Sequence, residues 1–294
     1  MNLYADWIAL ARGQMAATGY DVSTLTTDDA VARAYTNVLQ HLSIPVVPRQ
    51  VHKAAGFVCP PAHEAGLALF EEKVRAGQPL RPHMSRATRN VDNRDGLLYA
   101  WGIHHFHLGT VQQPDGFMQR TGPLLYAMVR DEALYMISIV EHGAWTQQQI
   151  LRNVYANWPA LLEPARMNGV VGVEQDFTDE EVAQLRAANI QIALCVAPGV
   201  FLAPPGGGMT ASGHSLTVIR AADQIQEGFE ALEDSIRHLS LPSIQQAAAE
   251  GFFGNLNLEF VFTDHADGGY ALLEKSNSYF LKLEGGVPKI PPLR

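Results

Sequence analysis

The sequence predicts an α/β protein of the α+β kind, with a helical N-terminal region packed on an antiparallel sheet and a second, mixed α/β half behind it. Three observations predict this. Of 294 residues, 47% are hydrophobic and 17% charged, a balance that builds a packed core rather than a disordered chain. Apolar residues recur at helical spacing through the first third. From residue 103 onward the period shortens toward two, the spacing of strands. A change in composition near Asn168-Gly169 suggests a boundary, so the expected domains are 1–167, carrying a His-rich sheet, and 168–294.

Each element has a local reason. Thr27 can cap a helix with Asp28 and Asp29 in its first turn, and Val31, Tyr35, Val38 and Leu42 then share a face. An extended piece is expected over 49–54. Pro61 suits the start of a second helix, lined by His63, Leu67, Phe70 and Val74 and stopped by Gly77. Residues 83–95 are polar and read as part helix, part loop. Residues 103–108 alternate as a strand. Two apolar runs, 124–129 and 134–140, flank the polar break 130–133 and form an expected hairpin. Thr146 with Gln149, and Thr178 with Glu181, are capping boxes that open two further helices. Strands are expected over 190–197, 215–220, 256–262 and 270–275. Ile225, Phe229, Leu232, Ile236 and Leu239 mark the clearest amphipathic helix.

Composition also excludes some functions. The formal net charge is −9, so the chain cannot attract nucleic acid through a general positive field, and any phosphate contact must be local. Only Cys59 and Cys195 occur, and two reduced thiols are expected rather than a disulfide framework. The first residues show no basic flank or unbroken apolar run of a signal peptide, and no stretch is apolar enough to span a bilayer. A cytoplasmic protein without membrane association is the expectation.

Chemistry concentrates in Trp101-Gly102-Ile103-His104-His105-Phe106-His107-Leu108. On a strand His105 and His107 share one face and His104 takes the other, so His104 is the histidine expected to be structural. His142 ends the following hairpin, with Trp145 close behind. Residues 81–120 carry five arginines against three aspartates, a basic island in an acidic chain that fits an anion such as phosphate. Imidazole exchanges protons near neutral pH. The first reading is therefore a metal-independent endoribonuclease. His105, His107 and His142 would act as acid–base groups, and Arg86, Arg89, Arg120 and Trp145 would hold RNA, with no cofactor needed. In the alternative, His105, His107 and His142 ligate zinc or iron in a hydrolase or oxygenase. A third reading is a non-catalytic module whose C-terminal half docks a partner protein.

The order of strand His104–Leu108, Arg120, strand 124–129 and strand 134–142 resembles the sheet of bacterial RelE/ParE-like toxins, over roughly residues 100–145. The resemblance implies messenger-RNA cleavage without metal, a toxin or defence setting with an antitoxin partner, and His105, His107, Arg120 and His142 as the active residues. The insertion 110–119, the chain length and the acidic charge depart from that family. The Pro/Gly-rich segment 203–213 lacks the Gly-Lys-Ser/Thr ending of a phosphate-binding loop and reads as a surface loop.

Overall fold

The computed structural model describes residues 1–91, 93, 95–141, 148–170, 172, 177–188, 190–253, 258–265, 269–276, 279–282 and 293. The fold is of the mixed α/β class. In chain order its elements begin with α1 (Leu3–Ala17), α2 (Asp28–Asn37), β1 (Gln50–Lys53), α3 (Glu64–Ala76), α4 (Gly96–Trp101), β2 (Ile103–His107), β3 (Leu124–Val129) and β4 (Ala133–Val140). There follow α5 (Gln148–Asn157), α6 (Asp179–Ala187), β5 (Leu194–Ala197), β6 (Val200–Leu202), α7 (Leu216–Arg237), α8 (Pro242–Ala249), β7 (Phe260–Asp264), β8 (Tyr270–Glu274) and β9 (Tyr279–Lys282).

The chain divides into two compact units, one of residues 1–39, 89–92 and 218–294, the other of 40–88 and 93–217. The expected boundary at 167/168 falls inside the second. The physical reason lies in apolar faces that find partners far away in sequence. In the first unit Trp7 of α1 packs on Tyr35 of α2 and Phe229 of α7, with ring centroids 5.5 and 5.8 Å apart, and Phe229 meets Phe262 of β7 at 4.9 Å. Helices α1 and α2 thus share a core with C-terminal elements.

The second unit is built on a four-stranded sheet of order β1-β4-β3-β2. β2–β3 and β3–β4 are antiparallel, as the hairpin pattern predicts, whereas β1 pairs β4 in parallel. The sheet is therefore mixed rather than purely antiparallel. On one face Phe106, Leu125 and Met136 pack against Leu67, Phe70 and Val74 of α3. On the other, Ile103, Tyr126 and Met128 pack against α4 and against Ile150, Leu151 and Val154 of α5.

Local signals hold where they are local. The Thr27 side chain accepts from the Ala30 N–H, Gly77 ends α3 at φ 66°, and Thr178 and Glu181 satisfy each other's backbone N–H groups. Thr146 lies outside the described residues. The strand expected over 215–220 is instead the start of α7. Its β-branched residues continue in phase with the downstream apolar stripe, so Val218, Ala222, Phe229, Leu232 and Ile236 are all buried on one helix. Of 190–197 only Leu194–Ala197 is strand, and Ile190 is exposed.

Helix α3 lies so close to the end of β2 that a Cβ on Gly66 would sit 1.7 Å from the Leu108 carbonyl oxygen. That atom belongs to the backbone and cannot swing aside. Gly66→Ala is expected to destabilise the protein by about 3 kcal/mol through overpacking, seen as a lower urea midpoint at unchanged slope. An unchanged midpoint would show that the helix and strand can separate at little cost.

Candidate active site

The site grows from the connection between α4 and β2. Asp95 caps α4, and its Oδ1 accepts from the backbone N–H groups of Leu97 and Leu98 at 3.1 and 3.0 Å. Gly102, left-handed at φ 66°, ends the helix and turns the chain back. A helix this short is only about 9 Å long, so the returning strand passes its start within two or three residues. His105 thereby meets Asp95, with Nδ1 3.1 Å from Oδ2. One carboxylate oxygen holds the helix and the other holds the imidazole.

The electrostatics follow from this arrangement. Burial pushes the Asp95 carboxyl up. The hydrogen bond and charge of His105, together with the Leu98 N–H, outweigh burial and hold it below its ordinary value. With Nδ1–H donated to a carboxylate, the neutral His105 ring presents Nε2 as its acceptor.

A cavity of about 250 Å³ lies at this point, lined by Asp95, His105, His104 and Tyr126 among others. β2 is the free edge of the sheet. His104 and His105 point to opposite faces of this strand, and both line the cavity. His104 is 9% exposed, stacks on Phe106 at 5.7 Å, and has a buried Nδ1 with no hydrogen-bond partner among the described residues. Burial pushes its pKa down to about 3, against the pull of the Asp95 charge. His41, in the π-helical turn Val38–Leu42, lies over Tyr99 at 4.7 Å. Burial takes its pKa to about 4, again opposed by Asp95. Burial, and then the Asp95 charge, push the Tyr126 phenol up to about 12, so it keeps its proton.

The expected site residues are only partly brought together. His105 is at the centre. His107 shares its face, yet it does not line the cavity. It is 3% exposed, its Nδ1 accepts from the Thr121 N–H at 3.2 Å, and its carbonyl takes a hydrogen bond from His83 Nδ1 at 2.8 Å. His105 thus shares the cavity wall with His104 and not with His107, whose ring is held by the Thr121 N–H. His142 and Trp145 lie outside the described residues. Arg86 is committed to Asp115, Nε to Oδ2 at 2.5 Å, and lies over the Phe117 ring. It ties down the 110–119 insertion rather than facing the cavity. Arg89 belongs to the first unit, and Arg120 is exposed. None of the three arginines lines the cavity. For the metal reading, among the described residues no group of three or more His, Cys, Asp or Glu is placed to hold an ion.

Asp95 and Tyr126 are the members that sequence reasoning missed. One signal was available for Asp95. It precedes Gly96-Leu97-Leu98, and Gly102 follows six residues of helix, so an N-cap and a C-cap frame a short helix directly before the His cluster. No protein-family model, curated protein or solved structure matches this chain.

Proposed function

We propose that the protein is an enzyme in which His105, oriented by Asp95, acts as general base on a small substrate held in the cavity. The 3.1 Å Asp95–His105 pair at the wall of a 250 Å³ cavity carries this reading. A carboxylate that fixes the tautomer and orientation of an imidazole makes the free nitrogen a positioned base and stabilises the imidazolium formed when it takes a proton. Tyr126, still protonated and beside His105 at 6.2 Å, is a donor for charge developing on the substrate. The reaction class is proton abstraction or hydrolysis by an activated water.

Metal-independent endoribonuclease activity is the second reading and uses the same base. Arg120, exposed and in no ion pair among the described residues, favours it as a phosphate contact. Against it, the cavity lining contains no arginine or lysine.

The test assays small uncharged esters and amides in parallel with single-stranded RNA, on the full chain and on Asp95→Asn. Asparagine keeps the helix cap but loses the charge. Turnover of the small substrates is expected to fall about 10²-fold, with an unchanged circular dichroism spectrum. RNA cleavage that falls with Asp95→Asn, with no small-substrate turnover, would select the ribonuclease reading. Nitrogen NMR of the histidines checks the dyad itself, and a His105 ring protonated at Nε2 instead of Nδ1 in the neutral protein would overturn it.

A further inference from the structure

We propose that Lys73 is a site of acylation by a small acyl thioester, selected by its placement against the neutral His83 ring rather than against a carboxylate. The site is separate from the proposed acid–base cavity, whose lining includes neither residue.

The surroundings of Lys73 set it apart. It stands half-buried in the last turn of α3, with Nζ 3.2 Å from His83 Nε2 and 3.9 Å from Met118 Sδ. His83 Nδ1 donates to the His107 carbonyl at 2.8 Å, so Nε2 carries a lone pair and accepts from Lys73. Among the described residues Lys73 has no carboxylate in ion-pair contact. Nζ of Lys53 and of Lys275 each lies 2.6 Å from a carboxylate oxygen, of Glu71 and of Glu259.

An ammonium must shed a proton before its nitrogen can attack a carbonyl carbon. Beside a carboxylate it loses a charge attraction in doing so. Beside a neutral imidazole it keeps its hydrogen bond, because the amine still has an N–H to donate. Burial lowers the Lys73 pKa, whereas the hydrogen bond to Glu259 raises that of Lys275. In the reaction the Lys73 ammonium first gives one proton to water. The neutral nitrogen attacks the thioester carbonyl carbon, the C–N bond forms, the C–S bond breaks, and a second nitrogen-bound proton passes to the departing thiolate. The amide keeps one N–H, which can donate to His83 Nε2 in place of the ammonium. The modification thus discards a desolvated charge without leaving the ring unpaired.

The experiment exposes the full chain at pH 8 to the acetyl thioester of N-acetylcysteamine and stops the reaction early. The remaining amines are capped with deuterated acetic anhydride after unfolding, and mass spectrometry gives the acetylated fraction at each lysine. Lys73 is expected to react at least about threefold faster than Lys53 and Lys275, the scale of one exposed ion pair. The side chains of Lys53 and Lys275 are 43% and 48% exposed, so access alone predicts the opposite ranking. Glu71→Gln, with its fold checked by thermal melting, removes the carboxylate charge beside Lys53. It is expected to speed Lys53 about threefold and to leave Lys73 at the parental rate. The proposal is overturned if Lys73 reacts no faster than Lys53 and Lys275, or if Lys53 of the folded variant keeps the parental rate. Should that variant not fold, the ranking within the parent chain decides alone. No turnover is measured, so this result stands whichever way the Asp95→Asn assay comes out.

Discussion

His105→Gln is expected to reduce turnover by about 10³–10⁴-fold, more than any other single change in the cavity. Glutamine can still offer an amide N–H to Asp95, so the buried carboxylate keeps a partner and α4 keeps its cap. It has no basic nitrogen, so the proton has nowhere to go. Asp95→Asn is milder because the imidazole is still present and only its orientation and charge support are lost. The check is kcat/KM on whichever substrate the parent turns over, with stability held within about 1 kcal/mol of the parent. A folded His105→Gln that retains activity within tenfold of the parent would remove His105 from the chemistry.

The second large effect is on stability against acid. His41, His83 and His104 are pushed by burial to about 4, 4 and 3. His83 shows how a neutral ring is accommodated. Its Nδ1 donates to the His107 carbonyl at 2.8 Å, and its Nε2 lies 3.2 Å from the Lys73 ammonium, which only an unprotonated nitrogen can accept. In the unfolded chain these rings titrate near 6.5. Below that pH the unfolded state takes up protons that the folded state refuses, so stability is whole above about 6.5 and falls as pH drops toward 4. Each ring removes at most about 1.4 kcal/mol per pH unit in this window, and the three together about 4. Asp95 acts lower. Its folded value lies below the ordinary one, so its contribution is present above the unfolded carboxylate value and disappears as pH falls through the folded value. Urea midpoints at pH 7, 6 and 5 should fall steeply, and a folded His104→Phe should flatten the slope by about a third. A midpoint constant from pH 7 to 5 would mean that the three rings are not held neutral.

The features legible in the sequence are those set within a few residues. Thr27, Gly77 and the Thr178–Glu181 box act on backbone groups one turn away. The hairpin of β3 and β4 needs only a polar break between apolar runs. Alternation also correctly places His105 and His107 on one face, as their pairing opposite Tyr126 and Leu124 shows. The mixed α/β class follows from such local periods.

Longer-range choices were not legible. Nothing in residues 50–53 says that they pair in parallel with 133–136, and nothing in α1 says that it will pack on α7 and β7. An apolar stripe states that it must be buried and leaves open against what.

The His cluster shows the same division. By itself the sequence determined that three imidazoles would stand on one strand, and which of them would share a face. Only the tertiary structure decided which of them line one cavity. β2 became an edge strand of its sheet, and His104 lines the cavity as well as His105. The backbone at Thr121 took up His107, and the short helix α4 carried Asp95, ten residues earlier in the chain, back to within 3.1 Å of His105. Alternation is a property of one strand. Edge position, and the carboxylate that meets a given imidazole, depend on how strands and helices pack, where non-directional burial of apolar surface sets the arrangement and the polar groups take the partners it brings within reach.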